Sequence, residues 1–172
     1  MIRRIIIVGK GGSGKDHMRK ELVKLGLKYC ISHTTRPPRE GENDGVDYYF
    51  IGQRQANMMK NNDDFYESVV FNNWVYGTSI KEFYSSNLFI MTPSGLSKLK
   101  EEDRKKSFVI YLDIAEEIRK ERLLMRNDAD NVDRRLEADR LDFLEFSNYD
   151  YSIHDPFFQN YDELFEISKI NI

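Results

Sequence analysis

The sequence has one cysteine, few prolines and no long apolar stretch, and these deficits exclude several classes of protein. Because Cys30 is the single cysteine, an internal disulfide is excluded and a reducing compartment is expected. No apolar run approaches the roughly 20 residues that a membrane helix requires. The N-terminal residues run straight into a short apolar strand, a segment too short to predict a signal peptide. The sequence therefore predicts a cytoplasmic protein with no membrane partner.

The chain also lacks an excess of positive charge. Its formal net charge is −3, and non-specific nucleic-acid binding depends on neutralising phosphates, so nucleic acid is not an expected partner. With 172 residues, 40% of them hydrophobic and 32% charged, the composition is typical of one globular domain. Any anion must then be bound by locally placed positive groups.

Alternating strand and helix patterns predict an α/β fold. The β-branched run over 3–8 predicts a buried strand, and apolar residues at helical spacing predict a helix over 15–25 that ends before Gly26. The other predicted strands span 27–32, 48–51, 65–71, 74–76, 88–91, 107–112 and 150–153, and the other predicted helices span 53–61, 115–126, 132–146 and 158–170. This order favours a parallel sheet flanked by helices.

The segment over 33–78 differs from the rest, because it combines a polar loop with short strands and a hairpin pattern around Asn72-Asn73. It predicts a small antiparallel lobe joined to the α/β core. We expect one domain over 1–172, with the core at about 1–32, 79–121 and 136–172 and the lobe at about 33–78. A helical lid is expected at about 122–135, and no pattern predicts an oligomeric state.

A phosphate-binding loop is predicted directly after the first strand. The residues match the pattern G-x-x-x-x-G-K, in which glycines let successive backbone N–H groups face one anion and the lysine reaches the outer phosphates. A strand before and a helix after provide the required context. The predicted ATP-binding residues here are Gly9, Lys10, Gly11, Gly12, Ser13, Gly14, Lys15 and Asp16.

Asp16 departs from the usual loop, which has Ser or Thr after the lysine to bind magnesium. A carboxylate is also a hard oxygen ligand that suits Mg²⁺, so Asp16 is a candidate metal ligand. Alternatively, Asp16 stabilises the first helical turn through the helix dipole. Both interpretations stay open on the sequence alone.

A longer motif over 32–48 reads S-x-T-T-R-x-P-R-x-G-E-x-x-G-x-D-Y and continues at 65–67 (Phe-Tyr-Glu) and 75–78 (Val-Tyr-Gly-Thr). On these residues the chain resembles the guanylate kinase family, and looser similarity covers nearly the whole sequence. The resemblance implies a P-loop nucleoside monophosphate kinase that uses Mg²⁺ and moves the terminal phosphate of ATP onto GMP or dGMP.

The side chains of this motif suit a nucleoside monophosphate. Arg36 and Arg39 offer planar donor groups to the phosphate, and Tyr48 and Tyr76 add hydroxyl donors. A solvated basic loop and ordinary tyrosine packing would explain each residue singly. Their joint spacing favours the phosphate site.

Guanine recognition is expected from polar residues near the hairpin. Guanine presents N1–H and N2–H₂ side by side, and Glu67 can accept both, whereas Ser32 or Thr78 can donate to O6. Adenine would leave these buried groups unpaired, which can discriminate by roughly 10⁴–10⁵. Gly77 and Thr92 complete the expected GMP-binding set.

The resemblance places lid and transition-state arginines at Arg122, Arg126 and Arg135. Phosphoryl transfer spreads negative charge over oxygens, so cationic groups supply much of the catalysis. With Lys15 and Arg36, these arginines form the predicted catalytic set. Arginines on charged helices are also commonly solvated.

Two segments depart from the family pattern. Ile90 and Thr92 stand where the family has an Asp-x-Asp pair, so Asp16 is expected to take over part of the magnesium binding. His154 stands near the expected adenine site and is either an ATP contact or a packed histidine. Two other functions stay open: a non-catalytic GMP-binding or protein-interaction domain, and a broader deoxynucleoside monophosphate kinase.

Overall fold

The computed structural model describes residues 4–71, 73–125 and 131–170. Two units make up the chain: Met1–Leu27 with Leu88–Ile172 form the first, and Lys28–Asn87 form the second. In chain order, the elements are β1 (Arg4–Gly9), α1 (Lys15–Lys24), β2 (His33–Thr34), β3 (Tyr49–Phe50), α2 (Gln53–Asn61), β4 (Phe65–Phe71), β5 (Trp74–Ser79), α3 (Ile80–Ser85), β6 (Leu88–Ile90), α4 (Pro93–Ser97), α5 (Glu101–Lys105), β7 (Ser107–Leu112), α6 (Glu116–Leu124), α7 (Val132–Asp142), β8 (Tyr151–Ile153) and α8 (Tyr161–Ile170).

The first unit contains a parallel four-stranded sheet with the order β6-β1-β7-β8. Ile6 lies opposite Phe89 on one side and Val109 on the other, and all three side chains are buried. Apolar residues on both faces of β1 and β7 explain why these strands are central, since both faces of a parallel sheet are covered. Helix α1 packs against β1, β6 and α8, and α6 packs against α7.

The second unit contains a mixed sheet with the order β3-β2-β5-β4. The hairpin of β4 and β5 is antiparallel, as is the pair of β2 and β5, whereas β2 and β3 are parallel. At the hairpin tip, Phe71 lies opposite Trp74 and Asn73 has a φ of 64°, a value that asparagine tolerates. Beneath the hairpin, the ring of Tyr66 stacks on buried Phe83 with centroids 3.6 Å apart.

These elements confirm the predicted α/β fold with a parallel core, flanking helices and a separate small sheet. Three predicted elements have the same bounds in the structure, namely helix 53–61 and strands 65–71 and 107–112. The lobe is largely antiparallel, as expected, with one parallel pair added by β2 and β3.

Two expectations about local structure are wrong. The strand predicted over 27–32 does not form; instead, the N–H of Lys28 donates to Asn87 Oδ1 at 2.7 Å, and the carbonyl of Lys28 accepts from the Asn87 N–H at 3.0 Å. One residue thus takes both hydrogen bonds that a neighbouring strand would have supplied. Helix α7 ends at Asp142 instead of continuing to 146, because Phe143 and Phe146 turn to pack on Tyr111.

Within the described part of the chain, every helix is too short or too polar to cross a membrane.

Candidate active site

The glycine loop between β1 and α1 has a backbone that only glycine fits easily. Gly12 and Gly14 have φ values of 77° and 99°, in the left-handed region. A Cβ on Gly12 would also lie 2.7 Å from the carbonyl oxygen of Arg119. The backbone conformation of this loop therefore depends on these glycines.

Lys15 lies over this loop at the start of α1. Its Nζ donates to the carbonyl oxygens of Gly9 at 2.7 Å and Lys10 at 3.0 Å. The ammonium group is thereby held at the loop that the sequence predicts for phosphates. Ser13 Oγ is buried and has no hydrogen-bond partner among the described residues.

Asp16 lies in the first turn of α1 with its side chain 69% exposed. Its nearest charged partner is Arg19, whose Nε is 3.7 Å from Asp16 Oδ1. The described residues contain no group of three or more His, Cys, Asp or Glu side chains arranged to hold a metal. Both the metal-ligand and the helix-dipole interpretations of Asp16 stay predictions.

The structure brings two of the predicted arginines to the glycine loop. Arg122 donates from Nη1 to the Gly12 carbonyl at 3.2 Å and from Nη2 to the Pro156 carbonyl at 2.8 Å. Arg135 Nη2 lies 3.8 Å from the position of a Cβ on Gly11. The remaining predicted arginine, Arg126, lies outside the described residues.

Sequence reasoning missed an ion pair next to this loop. Asp139 Oδ2 accepts the Gly11 N–H at 2.8 Å and a hydrogen from Arg119 Nη1 at 3.3 Å. The same Nη1 donates to the Gly11 carbonyl at 3.3 Å, and the Arg119 side chain is only 2% exposed. One sequence signal was present, since Asp139 follows Arg135 by four residues and so shares its face of α7.

In the second unit, an ion pair orients the first arginine of the predicted phosphate site. Arg36 Nη2 donates to Glu42 Oε1 at 2.8 Å, and Glu42 Oε2 accepts the backbone N–H of Arg39 at 2.7 Å. Both pattern arginines are therefore tied to one carboxylate, a role for Glu42 that the sequence analysis did not assign. Arg36 is also nearly buried, which fixes its fork of donors further.

Aromatic rings surround this arginine. The guanidinium carbon of Arg36 is 5.5 Å from the centroid of the Tyr48 ring and 5.8 Å from that of Phe50. The rings of Tyr48 and Tyr76 meet edge to face with centroids 6.1 Å apart. Arg36, Tyr48 and Tyr76 are thus brought together, as the motif predicts.

Electrostatics stabilise the charged form of both partners in this ion pair. Partial burial acts to raise the pKa of Glu42, but the hydrogen bonds from Arg36 and the Arg39 amide outweigh it and hold that pKa below its usual range. Burial likewise acts to lower the pKa of Arg36, and the Glu42 contact outweighs it and raises that pKa. The pair is ionised at neutral pH.

The predicted guanine contacts form a chain of polar groups that involves β4, β5 and the residue before β2. Thr78 donates its hydroxyl hydrogen to Glu67 Oε1 at 2.8 Å, and Ser32 Oγ lies 3.4 Å from Thr78 Oγ1. A Cβ on Gly77 would lie 2.8 Å from the Phe65 ring, so a side chain is excluded there. Ser32, Glu67 and Thr78 are therefore neighbours, and Gly77 keeps the strand close to Phe65.

Two further predicted contacts have local partners. Thr92 Oγ1 accepts the Gly95 N–H at 3.0 Å and caps α4. The exposed His154 ring has Nε2 at 3.2 Å from Ser152 Oγ and Nδ1 at 3.4 Å from Asp113 Oδ2. The roles proposed for Thr92 toward GMP and for His154 toward ATP stay predictions.

A parallel sheet whose first strand leads through a glycine loop into a helix defines a protein of the P-loop class. The sequence pattern of guanylate kinase matches residues 1–167 of the chain. The chain belongs to the guanylate kinase family, which confirms the resemblance found in the sequence.

Individual relatives agree with this assignment. The chain is 30% identical over 175 residues to the guanylate kinase of Rickettsia prowazekii, an alignment covering 95% of this chain and 88% of that protein. It is 38% identical over 82 residues to the guanylate kinase of Schizosaccharomyces pombe, where the alignment spans 46% of this chain and only 41% of the relative. The crystal structure of guanylate kinase from Anaplasma phagocytophilum has the same fold, with a TM-score of 0.68 at 22% identity, covering 99% of this chain and 85% of that one.

Proposed function

We propose that this chain transfers the γ-phosphate of ATP to GMP or dGMP, giving GDP or dGDP. The observation that carries the proposal is the group formed by Arg36, Glu42, Tyr48 and Tyr76. In this group an ion pair holds a nearly buried guanidinium beside the Tyr48 ring, and the Tyr48 ring in turn contacts Tyr76. Such a fixed, charged fork suits the two oxygens of a terminal monophosphate. Membership of the guanylate kinase family supports the same substrate.

Donor binding is assigned to the first unit. The glycine loop offers backbone N–H groups and the N-terminus of α1 to the ATP phosphates, and the Lys15 ammonium exchanges its two carbonyl partners for phosphate oxygens. Arg122 and Arg135 lie at the same loop and stabilise negative charge on the transferring group. Arg126 and the lid at about 122–135 complete this proposal, with His154 as a contact to the adenine.

Acceptor binding is assigned to the second unit. Arg36 and Arg39 hold the monophosphate, and Tyr48 and Tyr76 add hydroxyl donors. Glu67 accepts hydrogens from the guanine edge, with Thr78 and Ser32 supplying hydroxyls beside it. Thr92 is assigned to the same base from its place in the sequence pattern. The two units together constitute one guanylate kinase-like domain.

Magnesium is the cofactor that this reaction implies. Bound together with ATP, Mg²⁺ would supply positive charge that offsets the negative charge of the phosphates. Mg²⁺ uses few protein ligands and keeps water and phosphate oxygens as the others, so one exposed carboxylate beside Lys15 fits its needs. Asp16 is therefore the proposed metal ligand of this chain.

A panel of acceptors tests the proposed function. The purified chain with ATP and Mg²⁺ is assayed by coupled ADP release against GMP, dGMP, AMP, dAMP, CMP and UMP, with Lys15→Ala as the control for a contaminating kinase. We expect turnover with GMP and dGMP that is lost in the Lys15→Ala variant. GMP binding without turnover in the wild-type chain would contradict the proposal and indicate a non-catalytic GMP-binding domain. Comparable turnover of several bases would instead indicate a broader monophosphate kinase.

A further inference from the structure

The backbone of Gly11 is held from both sides by one ion pair. Asp139 Oδ2 accepts its N–H at 2.8 Å, and Arg119 Nη1 donates to its carbonyl at 3.3 Å and to the same Asp139 oxygen at 3.3 Å. The three groups form a closed ring of hydrogen bonds. Both polar atoms of the Gly11 backbone, the nitrogen and the carbonyl oxygen, are therefore hydrogen-bonded.

Arg119 is itself fixed by further contacts. Its Nε donates to the Ile114 carbonyl at 3.0 Å, and its Nη2 lies 3.6 Å from Glu116 Oε2. Its own carbonyl oxygen would lie 2.7 Å from a Cβ on Gly12. With 2% of its side chain exposed, Arg119 cannot shift toward solvent without losing these bonds. Arg119 is therefore a buried, hydrogen-bonded support for residues 11 and 12 of the loop.

The loop needs such a support because Gly11 and Gly12 are consecutive glycines with a flexible backbone. Glycine populates both signs of φ readily, so two in sequence give the free loop many conformations that must be lost when phosphates bind. A binding site that is already fixed loses less entropy on binding and is correspondingly tighter. Helix α7 approaches so closely that a Cβ on Gly11 would lie 3.2 Å from Asp139 Oδ2 and 3.8 Å from Arg135 Nη2.

We infer that Arg119 and Asp139 are a positioning pair, which holds the Gly11 backbone in its nucleotide-binding orientation before ATP arrives. The Gly11 N–H is committed to Asp139, so the phosphates are bound by the loop N–H groups that follow it. Neither side chain needs to touch the nucleotide. The inference rests on one part of the proposed function, namely that this loop binds the phosphates of ATP.

Four variants test the pair through binding of MgADP, measured by calorimetry without any acceptor. Asp139→Asn keeps an oxygen acceptor without the charge, whereas Asp139→Ala removes both and leaves Arg119 buried without its partner. The double change Arg119→Leu with Asp139→Ala removes the pair without leaving a buried charge, an exchange that proteins often tolerate. Glu137→Ala is the matched control, because this exposed carboxylate of α7 bonds Arg140 at 2.9 Å.

We expect the double variant to melt within a few degrees of the wild type and to bind MgADP about tenfold more weakly, with Asp139→Asn in between and Glu137→Ala unchanged. In the nucleotide-free wild type, the Gly11 amide should exchange its hydrogen slowly, and in the double variant it should exchange fast. Wild-type affinity in a folded double variant would overturn the inference. If the double variant does not fold, two other results taken together would overturn the inference. These are wild-type MgADP affinity in Asp139→Asn and fast hydrogen exchange of the Gly11 amide in the wild-type chain.

Failure of this inference is separable from failure of the proposed function. A wild-type chain that binds MgADP but does not phosphorylate GMP contradicts the proposed function and leaves the test of the pair intact. A wild-type chain that turns over GMP while the double variant binds MgADP normally contradicts the pair alone. A wild-type chain that does not bind MgADP contradicts both.

Discussion

Arg36 and Glu42 form an ion pair across a six-residue separation, with Arg36 Nη2 2.8 Å from Glu42 Oε1. The other oxygen of Glu42 accepts the Arg39 N–H, so one carboxylate shapes the whole loop that carries both arginines. The Arg36 guanidinium and the Arg39 backbone are therefore held before a phosphate arrives, and phosphate binding should depend on Glu42.

The change Glu42→Gln removes the charge and keeps an acceptor. Because the guanidinium of Arg36 loses its fixed partner, we expect the KM for GMP to rise about tenfold, roughly 1.4 kcal/mol, with a smaller change in kcat. Steady-state kinetics with GMP as the varied substrate measures this effect. Glu40→Gln, an exposed carboxylate two residues away, should leave KM unchanged; an equal rise in both variants would show that loop charge alone is responsible.

The lowered pKa of Glu42 predicts how the unfolding free energy depends on pH. The pKa of Glu42 is lower in the folded chain than in the unfolded chain, so its contribution is complete above the unfolded value, near 4.5, and is lost as the pH falls through the folded value. Urea unfolding between pH 6 and pH 3 should therefore show a smaller loss of unfolding free energy in Glu42→Gln than in the wild type. Parallel pH profiles for the two proteins would refute this role.

Gly12→Ala should damage the glycine loop by two separate effects. Its φ of 77° costs an L-residue about 1–2 kcal/mol, and the new Cβ would lie 2.7 Å from the Arg119 carbonyl. We expect lower unfolding free energy and loss of MgADP binding. Gly26→Ala is the control, since its φ is 94° but no atom lies within 4 Å of the new Cβ. Equal destabilisation of the two variants would show that the contact with Arg119 is unimportant.

Glu67→Gln should weaken base selection. The amide presents a donor where guanine also presents donors, so kcat/KM for GMP should fall by about 10–150-fold, corresponding to roughly 1.5–3 kcal/mol for a charged hydrogen bond. The same parameter for AMP should change much less. Thr78→Val keeps the carboxylate and removes the hydroxyl that bonds it at 2.8 Å, so it should give a smaller loss. An unchanged preference for GMP over AMP in Glu67→Gln would refute the proposed guanine contact.

Asp16→Asn separates the two interpretations of the residue after Lys15. If Asp16 binds the metal, the Mg²⁺ concentration that half-saturates ADP binding should rise several-fold, because an amide is a weaker ligand for a hard cation. If Asp16 only stabilises the first turn of α1, unfolding free energy should fall by about 0.3–1 kcal/mol with the Mg²⁺ dependence unchanged. Calorimetric titration of ADP at several Mg²⁺ concentrations, together with urea unfolding, measures both quantities.

Local sequence patterns were sufficient for much of this fold. The apolar runs of β1 and β7 and the motif over 32–48 depend on neighbours in sequence, so the parallel core and the loop arginines could be predicted. The strand expected over 27–32 was a wrong prediction. Its apolar residues resemble those of a strand, but Asn87, far along the chain, takes the hydrogen bonds of Lys28. Such a partner is visible only in three dimensions.

The Arg119 and Asp139 pair escaped prediction for a related physical reason. Each residue lies on a helix rich in charge, where an exposed side chain is the usual outcome. The Arg119 side chain is buried only because α6, α7 and the glycine loop converge, and 20 positions separate it from Asp139. The loop pattern itself specifies where phosphates bind but carries no information about what holds the loop from behind.

The hairpin tip carries a natural fluorescent probe. Trp74, opposite Phe71, is the single tryptophan of the chain and belongs to the unit assigned to the acceptor nucleotide. With 38% of its surface exposed, its indole emission responds to the surrounding solvent. Excitation selective for tryptophan thus reads this unit alone, without any introduced dye. GMP and ATP can be titrated separately, and the native chromophore reports which of them alters the hairpin.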